Sequence, residues 1–158
     1  MKILVDADSC PKEARELIIR RAASLGIQAI FAANRPIPGV ESSGMVMEIC
    51  PPLDGAADSR IAELAQSGDV AVSRDVPLAH RLVEKGVTVI NDRGRVYTKE
   101  NINELLSLRN FTVALAENNM GIERTANYSK KDLKSFADSL DRVLTKMIRS
   151  RDTCSASV

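Results

Sequence analysis

Ile3-Leu4-Val5-Asp6-Ala7-Asp8-Ser9-Cys10-Pro11 decides how the rest of the chain is read. Three apolar residues bounded by Lys2 and Asp6 have the length and composition of a buried parallel strand. Ser9 is placed to cap the element that follows, and Pro11 suits a first helical position, where its missing N–H costs nothing. Ala14, Leu17, Ile18, Ala22 and Leu25 then recur at helical spacing until Gly26 ends the helix.

Working outward, strand and helix patterns keep alternating. Residues 27–33 read as a second strand, and Asn34-Arg35-Pro36-Ile37-Pro38-Gly39 as a loop, because two prolines forbid a regular element. Residues 45–49 form a third strand closed by Pro51-Pro52, and 56–67 a short helix stopped by Gly68. A fourth strand covers 69–73, a helix 75–85 and a fifth strand 87–90, before the turn chemistry of Asn91-Asp92-Arg93-Gly94. After Thr98 the chain reads as mostly helical to about Glu117. Ser129 with Asp132 resembles a capping box, and Leu133, Phe136, Leu140, Val143, Leu144 and Met147 make the inner stripe of a last helix. The expected fold is a single α/β domain over residues 1–150, a parallel-sheet sandwich with C-terminal helices, followed by a disordered tail at 151–158.

Bulk composition permits such a core. Of 158 residues, 44% are hydrophobic and 27% charged, which argues against disorder. The net charge of +1 hides an asymmetry. Residues 1–92 hold 10 Lys/Arg and 13 Asp/Glu, a net of −3; residues 93–158 hold 12 and 8, a net of +4. An acidic half joined to a basic half suits metals in one part and phosphates on the other, and equally suits C-terminal helices with a solvated basic face. Three widely spaced cysteines give no disulfide framework, and no window reaches membrane-spanning length, so a reducing cytoplasm is the expected location.

In parallel sheets with helices on both faces, ligands bind at the C-terminal strand ends. Asp6 ends the first strand, Asp8 follows two residues later, Asp58 lies in the first turn of a helix, and Asp75 lies just beyond the fourth strand. Three segments thus deliver four carboxylates to one edge. Their repulsion in a partly dry cleft calls for a hard cation, Mg²⁺ or Mn²⁺, which can bind a scissile phosphate and activate water. Each acid also has a plain structural reading. Asp75 can be a helix N-cap, Asp58 a dipole partner, and Asp6 and Asp8 turn formers. Asp54 is a weaker candidate, and Asp69 begins a strand at the opposite edge, where it reads as structural. His80 falls inside a helix beside Arg81, and Cys10 reads as a small buried thiol. Aromatics at 3% make a base-stacking platform an unsuitable expectation.

Val5-Asp6-Ala7-Asp8-Ser9-Cys10-Pro11 resembles the VDADxCP opening of the uncharacterised YaiI/YqxD-type bacterial proteins. The resemblance continues through Ala33-Asn34, Ala57-Asp58, Gly68-Asp69, Asp75 with Pro77-Leu78-Ala79, Lys85-Gly86, Tyr97-Thr98 with Asn101-Ile102, Arg109, Lys131-Asp132 and Phe136 to Leu140. That family is similar to PIN-like domains, compact metal-dependent ribonucleases with acids at the ends of a parallel sheet. The resemblance implies metal-ligand roles for Asp6, Asp8, Asp58 and Asp75, with Asn34 as a polar neighbour, and it allows a homodimer. The chain departs from the pattern at Arg74, where a small residue is usual, at Asp92 in place of proline, at 124–127, which lack Gly-Pro, and at Leu133 in place of arginine.

The leading expectation is a Mg²⁺- or Mn²⁺-dependent nuclease or phosphodiesterase acting on RNA. Asp6 and Asp75 would hold the principal ion, and Arg35, Arg74, Arg93 and Arg95 are candidate phosphate contacts. Two other classes compete. Asp-x-Asp after a first strand also opens haloacid-dehalogenase-type phosphatases, where the first Asp is a nucleophile; there, however, a Thr or Val usually stands at the position of Cys10. A non-catalytic module that keeps a metal or binds RNA is the third.

Overall fold

In the computed structural model, which describes residues 1–117 and 127–156, the opening stretch forms β1 (Ile3–Asp6) and α1 (Lys12–Leu25). β2 (Ala29–Ala33), β3 (Val46–Ile49), α2 (Ala56–Leu64), β4 (Val70–Val72), α3 (Val76–Glu84) and β5 (Thr88–Ile90) continue the alternation. A two-residue strand β6 (Val96–Tyr97), α4 (Ile102–Glu117) and α5 (Lys130–Ala156) complete the described chain.

The six strands lie in the order β3-β2-β1-β4-β5-β6, all parallel except β6, which returns antiparallel to β5. β1 is central and fully buried, with Val5 in register with Phe31 on one side and Val72 on the other. Alternation along the strands divides the core into two layers. Ile3, Val5, Phe31 and Val72 pack with α1 and the Phe136, Leu140 and Leu144 stripe of α5. Leu4, Ile30, Ala71 and Val89 face α2, α3 and the Ile102 end of α4. Each large side chain buried here contributes roughly 1.5–3 kcal/mol. The α/β sandwich with C-terminal helices is therefore as expected.

The chain leaves β1 to one side for β2 and β3, then returns to the other side for β4. The direction of winding thus switches between β1 and β4, and the crevice beyond their C-terminal ends is where such sheets bind ligands.

Three local readings are corrected. Residues 151–156 are not a disordered tail, because α5 continues through Ala156. No Gly or Pro interrupts Ile148 to Ala156, helix elongation is nearly free once nucleated, and partly buried Met147 and Ile148 anchor the preceding turn. Residues 157 and 158 lie outside the described chain, as do 124–126. Ser9 does not cap α1, whose N-cap is Pro11 without a side-chain bond; its hydroxyl serves Asp6 instead. The turn at 91–94 leads into β6, too short to read as a strand. The capping box at Ser129 and Asp132 is present in both directions, with Asp132 N donating to Ser129 Oγ and Ser129 N to Asp132 Oδ2.

Asp69 lies at the opposite sheet edge from the crevice and is 3% exposed. Its carboxylate accepts from Lys2 N at 3.0 Å, Gln66 N at 2.9 Å and Lys2 Nζ at 2.5 Å. Asp69→Ala strands an ammonium and two amide donors, and is expected to cost about 3 kcal/mol in urea unfolding. A loss below about 1 kcal/mol would show that water replaces these bonds.

Candidate functional site

Asp6 is the last residue of β1, so strand geometry fixes its backbone at the crevice. Its side chain is buried, and Oδ2 accepts hydrogen bonds from Ser9 Oγ at 2.9 Å and Ser73 Oγ at 3.3 Å. Ser73 follows β4 as Asp6 closes β1, and the β1–β4 register brings the two together. Ser73 Oγ also accepts from Asp75 N at 3.0 Å, so two hydrogen bonds in series join Asp6 to the Asp75 backbone.

Asp75 is the N-cap of α3, its Oδ1 accepting from Leu78 N at 2.8 Å. Asp8 is exposed, and its Oδ2 accepts from the Asn34 backbone N–H at 3.1 Å. In all three acids one oxygen is tied to a protein donor. The other has no hydrogen-bond partner among the described residues. Such anchoring orients a carboxylate and leaves an acceptor open. Asp58 lies in the first turn of α2, half-buried. Capping and dipole roles are thus present at Asp75 and Asp58, whose charges also act on the crevice acids.

The four acids act on one another. Burial pushes the Asp6 carboxyl above the ordinary carboxylate range, and repulsion from Asp8 and Asp75 adds to this against the pull of the Ser9 and Ser73 hydroxyls. Asp58 is pushed up to about 6 by burial, then by Asp75 and Asp6, with Arg81 opposing. In the metal-free protein, the folded chain therefore keeps a proton on Asp58 that the unfolded chain releases near 3.8. The associated stability is present below that value and is lost as pH rises through about 6. Asp58→Asn is expected to remove that loss, roughly 1 kcal/mol after solvent screening. Urea unfolding in EDTA at acid and neutral pH measures it, and an unchanged pH dependence would dissociate Asp58 from the cluster.

Charge balance separates Asp6 and its acidic neighbours from the two other buried acids. Asp69 has Lys2, and buried Asp92 takes Arg74 through both Nε, at 2.6 Å, and Nη2. Among the described residues, none of Asp6, Asp8, Asp58 and Asp75 is in an ion pair. The described residues also hold no ready-made group of three or more His, Cys, Asp or Glu side chains placed for a metal ion. The donor chemistry nevertheless fits a hard divalent cation, which takes carboxylate oxygens that lack a protein counter-charge.

The expected phosphate contacts divide. Arg74 is committed to Asp92, and Arg93 faces Asp132 at 3.6 Å. Arg95 is exposed on the same turn, its backbone N–H bonded to Asn91 Oδ1. Asn34 reaches the site through its backbone, not its amide. Arg35 lines a cavity beside Asp8, shared with Arg15, which the sequence reading missed. Ser9 and Ser73 were also missed as partners of Asp6. A polar residue closing each of two apolar strands, Asp6 after Ile3–Val5 and Ser73 after Val70–Val72, was the available signal.

Cys10 is buried, and burial pushes its thiol up to about 12, which makes it an inert core residue. His80 faces Glu84 on the surface of α3, 3.5 Å away. No described helix is long and apolar enough to cross a membrane.

Comparison with known proteins agrees on kinship and names no activity. The chain is 48% identical to a UPF0178 protein of Treponema pallidum over 94% of this chain and 84% of that protein. It is 44% identical to a UPF0178 protein of Treponema denticola over 96% of each. A UPF0178 protein of Myxococcus xanthus is 41% identical over 95% of this chain and 98% of its own. No solved structure matches. The model described as "Uncharacterized BCR, YaiI/YqxD family" matches residues 4–146, from β1 into α5, and the chain belongs to that family.

Proposed function

We propose that the crevice between β1 and β4 is a divalent-metal centre that cleaves phosphodiester bonds in RNA. The observation that carries this reading is the contrast in charge balance. The two other buried acids, Asp69 at the opposite edge and Asp92 beside Asp6, are each ion-paired, while among the described residues Asp6, Asp8 and Asp75 bond hydroxyls and amides and Asp58 feels Arg81 without an ion pair. A buried carboxylate without a counter-charge costs free energy that selection removes unless the charge is used.

In this reading Asp6 and Asp75 hold the principal Mg²⁺ or Mn²⁺, and Asp8 and Asp58 complete its shell or a second site. When bound, such an ion polarises a phosphoryl oxygen and lowers the pKa of water. The chain's own part is positional. Ser9 and Ser73 hold Asp6, Leu78 N holds Asp75, and Asn34 N holds Asp8, so each carboxylate meets the ligand with one oxygen fixed. Net +4 over residues 93–158 supplies modest, sequence-independent attraction for a polyanion.

Mn²⁺ titrated calorimetrically into chelator-treated protein is expected to bind and, at a hundredfold excess over Kd, to raise stability by about 2.7 kcal/mol. The loaded protein is expected to cut single-stranded RNA, and EDTA to stop it. Binding of Mn²⁺ without cleavage returns a non-catalytic metal module; absence of both ends the proposal.

A further inference from the structure

We propose that Arg15 and Arg35 form a phosphoryl-binding subsite next to Asp8, which takes a nucleotide phosphate of the substrate strand. The two arginines come from different elements, α1 and the loop after β2, and line one cavity of about 350 Å³. Asp8 is on its wall, which also includes Pro36, Ile37 and Pro38.

Two of the other arginines at this sheet edge, Arg74 and Arg93, are in ion pairs. Among the described residues neither Arg15 nor Arg35 is. Arg15 is half-buried, and its Nη1 donates to Cys10 O at 2.5 Å, which fixes the guanidinium and leaves further N–H donors for a ligand. Arg35 is exposed, and among the described residues it has no hydrogen-bond acceptor. Two guanidiniums against one carboxylate leave the cavity cationic. A planar fork from each suits a tetrahedral, multiply charged oxyanion.

Volume and wall narrow the ligand further. The cavity is large enough for a small organic ligand, more than a bare ion needs. Its apolar side is Ala7, two prolines and an isoleucine, which can touch a sugar but offer no aromatic ring for stacking. The subsite therefore reads the phosphate and ribose and is indifferent to the base. Asp8 is shared between this cavity and the acid cluster, since its charge acts on Asp6. A phosphate bound by the two arginines thus lies beside the crevice. That it belongs to a strand being cleaved rests on the function proposed above.

The side-chain Nε–H resonances of Arg15 and Arg35 report the site directly, and metal-free protein in EDTA suffices. Adenosine 5′-monophosphate is expected to shift both signals, and adenosine neither. Arg35→Ala, in an exposed loop, and Arg15→Gln are each expected to weaken that binding about tenfold, the usual loss for a charge-assisted bond. Adenylyl-adenosine with a free 5′-hydroxyl separates the sources. Equal binding assigns an internal phosphodiester, weaker binding a terminal phosphate, and both support the subsite. If the nucleotide moves neither resonance, or both variants bind as wild type does, the assignment is overturned. RNA cleavage is read separately. Nucleotide binding that needs both arginines in a protein that cuts no RNA keeps the subsite and removes the nuclease. A wild type that cuts RNA, with variants of unchanged kcat/KM, does the reverse.

Discussion

Asp6→Asn is expected to abolish RNA cleavage and, without metal, to make the protein more stable. The two effects share one cause. The Asp6 carboxylate is buried, repelled by Asp8 and Asp75, and among the described residues supported by two hydroxyls alone. An asparagine amide oxygen can accept from Ser9 and Ser73 as the carboxylate does, so the local bonds survive while the charge goes. Loss of repulsion is expected to give about 1 kcal/mol, the usual size of a single stabilising change, or 2–4 °C in Tm for a chain of this length. Loss of a principal ligand for the ion is expected to lower kcat/KM by at least about 10³-fold, comparable with removal of another transition-state charge stabiliser. Thermal unfolding in EDTA and single-turnover cleavage in Mn²⁺ read the two halves separately. A variant that cuts at the wild-type rate takes Asp6 out of the chemistry. One that is less stable by more than about 1 kcal/mol shows the charge to be structural.

That trade explains which parts of this molecule could be read from residue order. Patterns repeated over many residues point one way, and tertiary packing then agrees with them. Ile3–Val5 and Val70–Val72 are short apolar runs that form central strands, and the Phe136, Leu140 and Leu144 stripe lands on the sheet. The acids were readable because strand ends and helix starts follow from that same alternation. What a polar side chain bonds to was not readable, since that depends on register between segments distant in sequence. Ser9 had a local partner in prospect, the amides of α1, but a buried carboxylate competes more strongly for its hydroxyl. Arg74 follows β4 and appeared free for phosphate, until folding placed buried Asp92 beside it. Nothing in the pattern of α1 singles out Arg15. Only the path of the loop after β2 makes it a cavity wall.

Gly94 carries the second large effect, and its weight is also invisible in sequence. In the turn before β6 its φ is +89°, and a Cβ built there would lie 2.5 Å from Ser135 O and 2.7 Å from Ser135 C of α5. Backbone cannot retreat from such a contact as a flexible side chain can. Gly94 O accepts from Ser139 Oγ at 2.6 Å, Tyr128 Oη donates to Asp92 O at 2.7 Å, and Arg93 faces Asp132. The turn thus clamps α5 onto the sheet and carries the carboxylate that holds Arg74. Gly94→Ala adds left-handed strain of about 1 kcal/mol and forces α5 outward, with Phe136, Leu140 and Leu144 partly uncovered. The expected total is about 3–5 kcal/mol, within reach of unfolding a domain of ordinary stability. Gly26→Ala is the control. Its φ is +65°, but a Cβ there meets nothing within 4 Å, so only the backbone strain applies, about 1 kcal/mol. Urea midpoints of the two variants separate close approach from conformational strain. Equal losses would mean that α5 yields to the added methyl without cost, and that its docking on the 91–94 turn is loose.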